Sequence, residues 1–532
     1  MRATKTTDVA IMGGGLAGLT LALQLRKTLG DDSDIVVVER NHHPAPAASH
    51  KVGESTVEIG SYYLANMLGM REHLESRHLP KFGLRLFFGS EAQDGDISRF
   101  DELGASSVLP VRSYQIDRGI LENHLGQAAA DAGIRVEQGC KVTGVELSEN
   151  NGSHELTFVD GNKETRLASR WVVDACGRAG PLRARLGIAE RSEHANHAVW
   201  FRLDARIKVD DWSSDANWQG RCDSGRRWLS TNHFMGPGYW VWLIPLGSGC
   251  TSVGIVADPS IHPSSCFPDF DATMNWLRKF QPTCWKAIDE VKESLMDFRY
   301  LRRYSHGARQ VFSANRWAMT GDAGVFIDPF YSPGSDFIAI SNSLVTELIQ
   351  SDNQGRLSAP RCSSMQELYF SFYRSTLDLY LGQYPGFGDL GLMACKTTWD
   401  YAYYWSVLAR LFCSGAISDP RLLQTAGGSL LRARSMNQQI QRQFRERAAL
   451  RRNDPASGRF VDQRKIPCLW NLNAALEQPI SSGGLASEMD ANVAMLGNLS
   501  EVLGSVLGAT SVTLGEERER ELIGDLRHRL AA

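Results

Sequence analysis

The 10 cysteines of this chain form no Cys-x-x-Cys pair and no other metal-ligand spacing, which removes a disulfide framework and a zinc site and leaves reduced, mostly buried thiols. No metal site is assigned. No uninterrupted apolar run approaches the roughly 20 residues of a membrane span. The nearest stretch, residues 401–416, is broken by Arg410 and reads as a buried helix. Basic charge is not in excess either: 57 Lys and Arg against 60 Asp and Glu give a net charge of -3, without the positive surface by which a general nucleic-acid binder displaces phosphate counterions. There is no internal repeat, low-complexity tract or apolar leader, so cytoplasmic residence is the expectation. What remains is ample: 532 residues, 43% hydrophobic and 22% charged, enough for two or three domains.

Residues 8–12 form an apolar strand that runs into Gly13-Gly14-Gly15-Leu16-Ala17-Gly18 and then a helical stretch over 19–27. In such a strand, turn and helix, Gly13 permits the turn, Gly15 lets backbone N–H groups approach a pyrophosphate, and Gly18 lets helix and strand pack closely. A second strand over 34–38 delivers Glu39 about 20 residues on, where a ribose-binding carboxylate is needed. Dinucleotide binding follows. Far downstream, Trp240-Val241-Trp242-Leu243-Ile244-Pro245 reads as a strand with both indoles on one face, stopped where proline withdraws its N–H.

Other motifs lie around these in order. Lys51-Val52-Gly53-Glu54-Ser55 precedes a helical stretch over 57–70, and Tyr114-Gln115-Ile116-Asp117-Arg118 opens a helix over 119–130. Trp171-Val172-Val173-Asp174-Ala175-Cys176-Gly177-Arg178 and Gly321-Asp322-Ala323-Gly324 follow. Taken together, the chain resembles the flavin-dependent halogenases, the tryptophan, phenol and pyrrole halogenase branch of the single-component flavin monooxygenase fold. The resemblance implies an α/β architecture: a Rossmann-type FAD-binding domain, an antiparallel substrate-domain sheet and a C-terminal helical region. It assigns Gly13, Gly15, Ala17, Gly18, Glu39, Gly53, Glu54, Ser55, Arg118, Val142, Asp174, Gly177, Gly321, Asp322 and Pro329 to the cofactor. Trp240, Trp242, Ile244 and Pro245 become a barrier between flavin and substrate.

The resemblance also implies chemistry. FAD is used as FADH2 supplied by a separate NAD(P)H:flavin reductase, since no second dinucleotide site is seen, together with O2 and a halide ion. Hypohalous acid arises from a flavin hydroperoxide and halide, and a lysine directs it onto an electron-rich aromatic, phenolic or pyrrole-type substrate of secondary metabolism, free or tethered to an acyl or peptidyl carrier protein. Lys81, in Leu79-Pro80-Lys81-Phe82-Gly83-Leu84, is assigned as that catalytic residue, entering a strand of alternating apolar residues. Without the resemblance it would read as an edge lysine deterring aggregation. Lys51 ranks below it because it precedes the Gly53-Glu54-Ser55 motif. The chain departs from the family after Asp328-Pro329, where a Ser-Ser-Gly or Ser-Thr-Gly turn is usual and Tyr331-Ser332-Pro333-Gly334-Ser335 stands instead. Halide is assigned to Ser332, Gly334 and Ser335, and Pro333 removes one amide donor.

In coarse organisation, residues 1–355 form the FAD-binding domain with the substrate sheet interleaved at about 80–105 and 190–300, and residues 356–532 are mostly helical. Substrate is expected between the domain and the sheet. The aromatics of the helical region, such as Tyr369, Tyr380, Trp399 and Tyr403, are core or pocket lining. Arg432, Arg434, Arg442, Arg445, Arg447, Arg451 and Arg452 make either a solvated helix face or a dock for an acidic carrier. Residues 516–529 read as a peripheral helix. Three other activities share these motifs: a flavin monooxygenase hydroxylating an aromatic substrate, a flavin reductase or dehydrogenase, and a non-catalytic flavin-binding or carrier-docking protein.

Overall fold

A computed structural model describes residues 5–46, 51–89, 95–149, 152–223, 225–450, 456–481 and 483–508. The chain divides into two compact units, each assembled from separate stretches. The first comprises Met1–Arg77, Ile116–Ser192 and Ser305–Arg374, and the second His78–Gln115, Glu193–Tyr304 and the chain from Ser375 onward.

The first unit is built on a sheet in the order Phe312–Ser313, Trp317–Met319, Lys163–Asp174, Lys5–Met12, Ile35–Val38, Arg135–Glu137. All pairings along it are parallel except the first, a short hairpin. Parallel strands are covered on both faces, so their side chains are apolar without alternation: Val9 to Met12 and Ile35 to Val38 are all buried. Helix Leu16–Leu29 packs on Gly334–Asn353 and Arg118–Asp131. The helix expected over 57–70 is shorter and broken. Glu58–Tyr62 widens into a π-helical turn, Tyr63–Met67, and Gly69, at φ +79, turns the chain into Arg71–Arg77.

The second unit holds eight strands in the order Leu295–Leu301, His197–Leu203, Thr251–Ala257, Tyr239–Pro245, Thr231–Gly236, Leu84–Phe88, Asp101–Gly104, Phe460–Asp462. The sheet is mixed where an antiparallel one was expected. Thr231–Gly236 runs parallel to Leu84–Phe88, and Asp101–Gly104 parallel to Phe460–Asp462. Tight hairpins force antiparallel neighbours, and long connections such as those joining these two pairs do not. One face of this sheet carries the unit's core, where Val199, Phe201, Val241, Leu243, Val253 and Ile255 meet Trp276 and Leu277.

The C-terminal region is helical. Pro420–Ala448 pairs with Gly484–Gly508, and Leu390–Tyr403 packs on both. The change from one unit to the next falls at Arg374, inside helix Ala359–Leu377, rather than at residue 355. Arg410, in the apolar stretch, pairs with Glu488 and donates to the carbonyls of Ala475, Gln478 and Pro479, so the buried charge is neutralised and its donors are satisfied. Among the described residues no helix is long and apolar enough to cross a membrane. Arg451, Arg452 and residues 516–529 lie outside the described residues.

Candidate active site

In the first unit, the glycine turn is fixed by sterics that can be taken glycine by glycine. Gly13 sits at φ +104, and a Cβ there would stand 2.5 Å from the Ala175 carbonyl oxygen. A Cβ on Gly18 would stand 1.9 Å from the Gly13 carbonyl oxygen, so this residue is what lets helix Leu16–Leu29 begin against the turn. Gly15 differs: a Cβ there meets only the Lys51 Nζ, at 3.9 Å, and otherwise faces open space at the helix N-terminus. Sterics of the fold do not require glycine there; a ligand approaching the backbone does.

Glu39 ends its strand beside this turn. One of its carboxylate oxygens accepts the Gly14 N–H at 2.6 Å and the other accepts the Asn41 backbone and side-chain N–H groups at 2.8 and 2.7 Å. Asp174 accepts the backbone N–H of Cys176 and of Leu182, each at 2.9 Å, so it shapes the Gly177 turn from beneath. Arg118 opens its helix by donating to the Val52 carbonyl at 2.7 Å and to Glu122 at 2.6 Å, and Lys51 pairs with the same Glu122. Burial alone would raise the Glu122 carboxyl, but the charges of Arg118 and Lys51 hold it below the ordinary range. Lys51 is thereby part of this charge cluster. Glu54 and Ser55 are buried, and the Glu54 carbonyl accepts the Ile116 N–H at 2.7 Å. Asp322 faces the charges of Arg118, Arg178 and Arg183, yet burial is the larger effect and its carboxyl is raised. Val142 lies on strand Cys140–Glu146, at a register shift in the outlying meander.

The turn after Asp328 also belongs to the first unit. The Ser332 N–H donates to the Pro329 carbonyl at 2.9 Å, with Ser332 at φ +59, so the amide assigned to halide is consumed by the turn itself. Pro333 caps the 20-residue helix Gly334–Asn353 without a donor. The Gly334 and Ser335 N–H groups, in the first turn of that helix, have no intrahelical acceptor. The Ser335 hydroxyl is buried with no partner among the described residues. Two such amides at a helix N-terminus are of the kind that can hold an anion.

In the second unit, Lys81 is not on a strand. It lies in the loop between the two-residue strand Leu79–Pro80 and Leu84–Phe88, its N–H bonded to the Ser113 carbonyl at 2.9 Å and the next N–H, of Phe82, to the Leu229 carbonyl at 3.0 Å. The reason is Gly83, at φ +76, which delays the strand to Leu84. The lysine is 4% exposed, so it is no edge lysine. His233 is buried near it: burial first, and the charge on Lys81 second, push the His233 imidazole down to about 3, keeping it neutral.

Trp240, Trp242 and His233 occupy the sheet face opposite the core, since Val241 and Leu243 alternate with the tryptophans and point into that core. The His233 ring stands edge-on to Trp240 at 5.0 Å, and the two indoles are 5.5 Å apart. The Trp240 N–H donates to the Tyr384 hydroxyl at 2.8 Å and the Trp242 N–H to the Ser252 hydroxyl at 3.2 Å. Trp242 lies over its cross-strand neighbour Gly254, where a Cβ would stand 2.2 Å from the ring. Gly254→Val is expected to push the indole off the sheet and cost about 1–3 kcal/mol. Thermal denaturation together with a red shift of tryptophan emission would report it, and an unchanged spectrum would show that Gly254 does not seat Trp242.

Residues 6–307 match the family model described as an FAD binding domain. The chain belongs to the FAD-binding domain family. It is 27% identical to the flavin-dependent halogenase chlA of Dictyostelium discoideum over 429 residues, covering 75% of this chain and 70% of that protein. It is also 27% identical, over 354 residues, to a 1H-pyrrole-2-carbonyl-[peptidyl-carrier protein] chlorinase of Pseudomonas fluorescens, covering 62% of this chain and 72% of that one. Among solved structures, halogenase PltM superimposes with a TM-score of 0.65 at 15% identity, covering 99% of this chain and 95% of that chain. At that identity the likeness is one of fold.

The cradle in the first unit fits FAD. The space at Gly15 is open at a helix N-terminus, where a pyrophosphate can be accommodated, and Glu39 lies beside the turn, accepting the Gly14 N–H. Gly53, Arg118 and Asp322 are drawn together by charge and contact, with Gly53 placed 3.0 Å from Arg118 by its would-be Cβ. Ile244 and Pro245 end the strand that carries Trp240 and Trp242, and Gly321, at φ +57, turns the chain beside Ala17. Sequence reasoning did not find His233, Tyr384 or Glu122. His233 has a recoverable signal, its place opposite Trp242 in an alternating run, whereas Tyr384 has none.

Proposed function

We propose that this protein is an FADH2-dependent halogenase that forms hypohalous acid and places halogen on an electron-rich aromatic, phenolic or pyrrole-type carbon. The observation that carries the reading is Lys81, a buried lysine beside a neutral histidine in the same unit as the Trp240 and Trp242 indoles. A lysine so enclosed is suited to hold and polarise hypohalous acid, or to carry the halogen as a haloamine, because burial excludes the water that would compete for it.

Gly13, Gly15, Gly18, Glu39, Arg118 and Asp322 would hold the cofactor. Bound and reduced, FAD supplies, with O2, the two-electron oxidation of halide. The Gly334 and Ser335 amides hold the halide ion, Trp240 and Trp242 exclude the aromatic substrate from the oxidising centre, and Lys81 orients the acid so that its halogen replaces a ring hydrogen with release of water. Reducing equivalents come from a separate NAD(P)H:flavin reductase. The substrate is free or carrier-tethered, the second supported by the named carrier-protein chlorinase among the relatives.

The test is to incubate the protein with FAD, a flavin reductase, NADH and bromide in the presence of phenols, indoles and pyrroles, and to seek brominated products by mass spectrometry. Products that gain oxygen and no halogen would move the assignment to a monooxygenase. With Ser332 and Pro333 contributing no donor, the halide site is expected to favour bromide, which sheds its hydration more cheaply and is easier to oxidise. Bromination should therefore exceed chlorination at equal halide concentration, and Pro333→Ser, which restores an amide, should raise chlorination. Efficient chlorination by the unaltered protein at low millimolar chloride would refute this.

A further inference from the structure

The sheet of the second unit ends on two unlike edges. One is Phe460–Asp462, only three residues long. The other is Leu295–Leu301, seven residues without a proline, paired on one side with His197–Leu203 and with no other strand among the described residues. An edge of that length offers a row of backbone donors and acceptors to another chain unless brevity, proline or a covering segment blunts it. Its first two side chains, Leu295 and Met296, are 36% and 45% exposed, and Arg299 further along is exposed as well.

Which groups point outward follows from the inner pairing. The Arg202 N–H reaches across to Asp297, whose carboxylate accepts it at 2.9 Å, and the Asp204 N–H donates to the Ser294 carbonyl at 2.9 Å. Residues opposite Arg202 and Trp200 therefore turn their backbone inward, and alternation turns the N–H and C=O of Phe298 and Tyr300 outward. In keeping with this, the Phe298 carbonyl accepts a long bond, 3.4 Å, from the side chain of the next residue, Arg299. The side chains alternate too. Phe298 and Tyr300 stand opposite Phe201 and Val199 and pack on the core, while Asp297 and Arg299 lie on the other face.

We infer that this edge binds a second copy of the chain, strand Leu295–Leu301 pairing antiparallel with its twin about a two-fold axis at Phe298. A slip of one residue would set core-facing side chains against outward ones, so the axis passes through a residue rather than between two. Charge then selects which residue. An axis at Asp297 opposes two carboxylates, and an axis at Arg299 opposes two guanidinium groups; each is unfavourable. An axis at Phe298 sets Asp297 opposite the partner's Arg299, Met296 opposite the partner's Tyr300 and Leu295 opposite the partner's Leu301. Symmetry makes each of these pairs twice. Asp297, already bonded to Arg202 at 2.6 Å, gains a second cation, and the exposed apolar pair at the start of the strand is covered. The two sheets become one, with their core faces on the same side. The pairing is independent of the reaction that the site performs.

The experiment follows the FAD-loaded full chain by sedimentation velocity from about 1 to 100 μM, the range suited to a contact built on one strand pair. The unaltered protein should pass from monomer to dimer across it. Arg299→Glu, which opposes a carboxylate to Asp297 at both ends of the pairing, should weaken the dimer by about ten-fold or more, and added salt should restore part of the loss. Met296→Lys should weaken it as well. Both side chains are exposed, so each variant should keep its flavin and its thermal denaturation profile. Register is read with a short bifunctional thiol reagent, using the unaltered protein as the blank for its own cysteines. Phe298→Cys should cross-link to its twin, whereas Met296→Cys, more exposed but facing the partner's Tyr300, should not. A monomer throughout the range, a dimer that Arg299→Glu and Met296→Lys leave intact, no cross-link at Phe298→Cys, or equal cross-linking at Met296→Cys would each overturn the pairing.

Discussion

Lys81→Met should leave FAD bound and its reduced form reacting with oxygen at the unaltered rate, yet lower halogenated product by about 10²–10⁴-fold, the range over which a positioned proton-handling group acts. The fold should survive, because the loop is held through the backbone: the Lys81 and Phe82 N–H groups bond to the Ser113 and Leu229 carbonyls, and the Phe82 carbonyl accepts the Ser230 hydroxyl at 3.2 Å. Met occupies nearly the same volume, so no cavity opens at a site that is 4% exposed. Measured by product mass spectrometry alongside oxygen consumption, the variant should consume oxygen and release unreacted hypohalous acid. Unchanged regiospecific halogenation would remove Lys81 from the mechanism.

The second large effect separates two glycines that stand three residues apart in sequence and serve different purposes. Gly15→Val should lower FAD affinity by about 100-fold or more, because its side chain enters the space left for the pyrophosphate and blocks charge-assisted backbone hydrogen bonds. The apoprotein should fold normally, since among the described residues beyond its chain neighbours a Cβ at Gly15 comes no nearer than 3.9 Å to another atom. Gly18→Val should fail earlier, with insoluble or unfolded protein, since its Cβ would stand 1.9 Å from the Gly13 carbonyl. Circular dichroism and flavin absorbance after gel filtration distinguish the two. A Gly15→Val protein that retains yellow colour would show that the cofactor lies elsewhere.

Much of this was legible in the sequence because the chemistry is local. The turn from Gly13 to Gly18 is written by contacts within a few residues and one neighbouring strand, and the alternation of Trp240 and Trp242 with Val241 and Leu243 sorts them to opposite faces. Lys81 could be named from its surroundings in sequence, though not its loop, because the positive φ of Gly83 that delays the strand has no periodicity to betray it. The turn proposed for halide was half legible: the missing donor of Pro333 is a matter of covalent structure, but the loss of the Ser332 amide to Pro329 depends on the turn's closure. What stayed hidden needs contacts across long separations. His233 meets Lys81 across some 150 residues, and the parallel pairing of Asp101–Gly104 with Phe460–Asp462 spans more still, so no window of sequence contains both partners.

Tyr384 holds the strand of Trp240 and Trp242 at two points. Its hydroxyl accepts the Trp240 indole and its carbonyl accepts the N–H of Gly238, in the hairpin turn that leads into that strand. Yet the family match ends at residue 307, far short of it. A chimera joined at the end of the recognisable flavin domain would therefore inherit both tryptophans and lose the residue that fixes one of them. Exchange of C-terminal regions among relatives, as a route to new substrates, should preserve the seating of Trp240 only when the crossover falls beyond Phe387, whose ring stacks on Tyr384 at 4.5 Å.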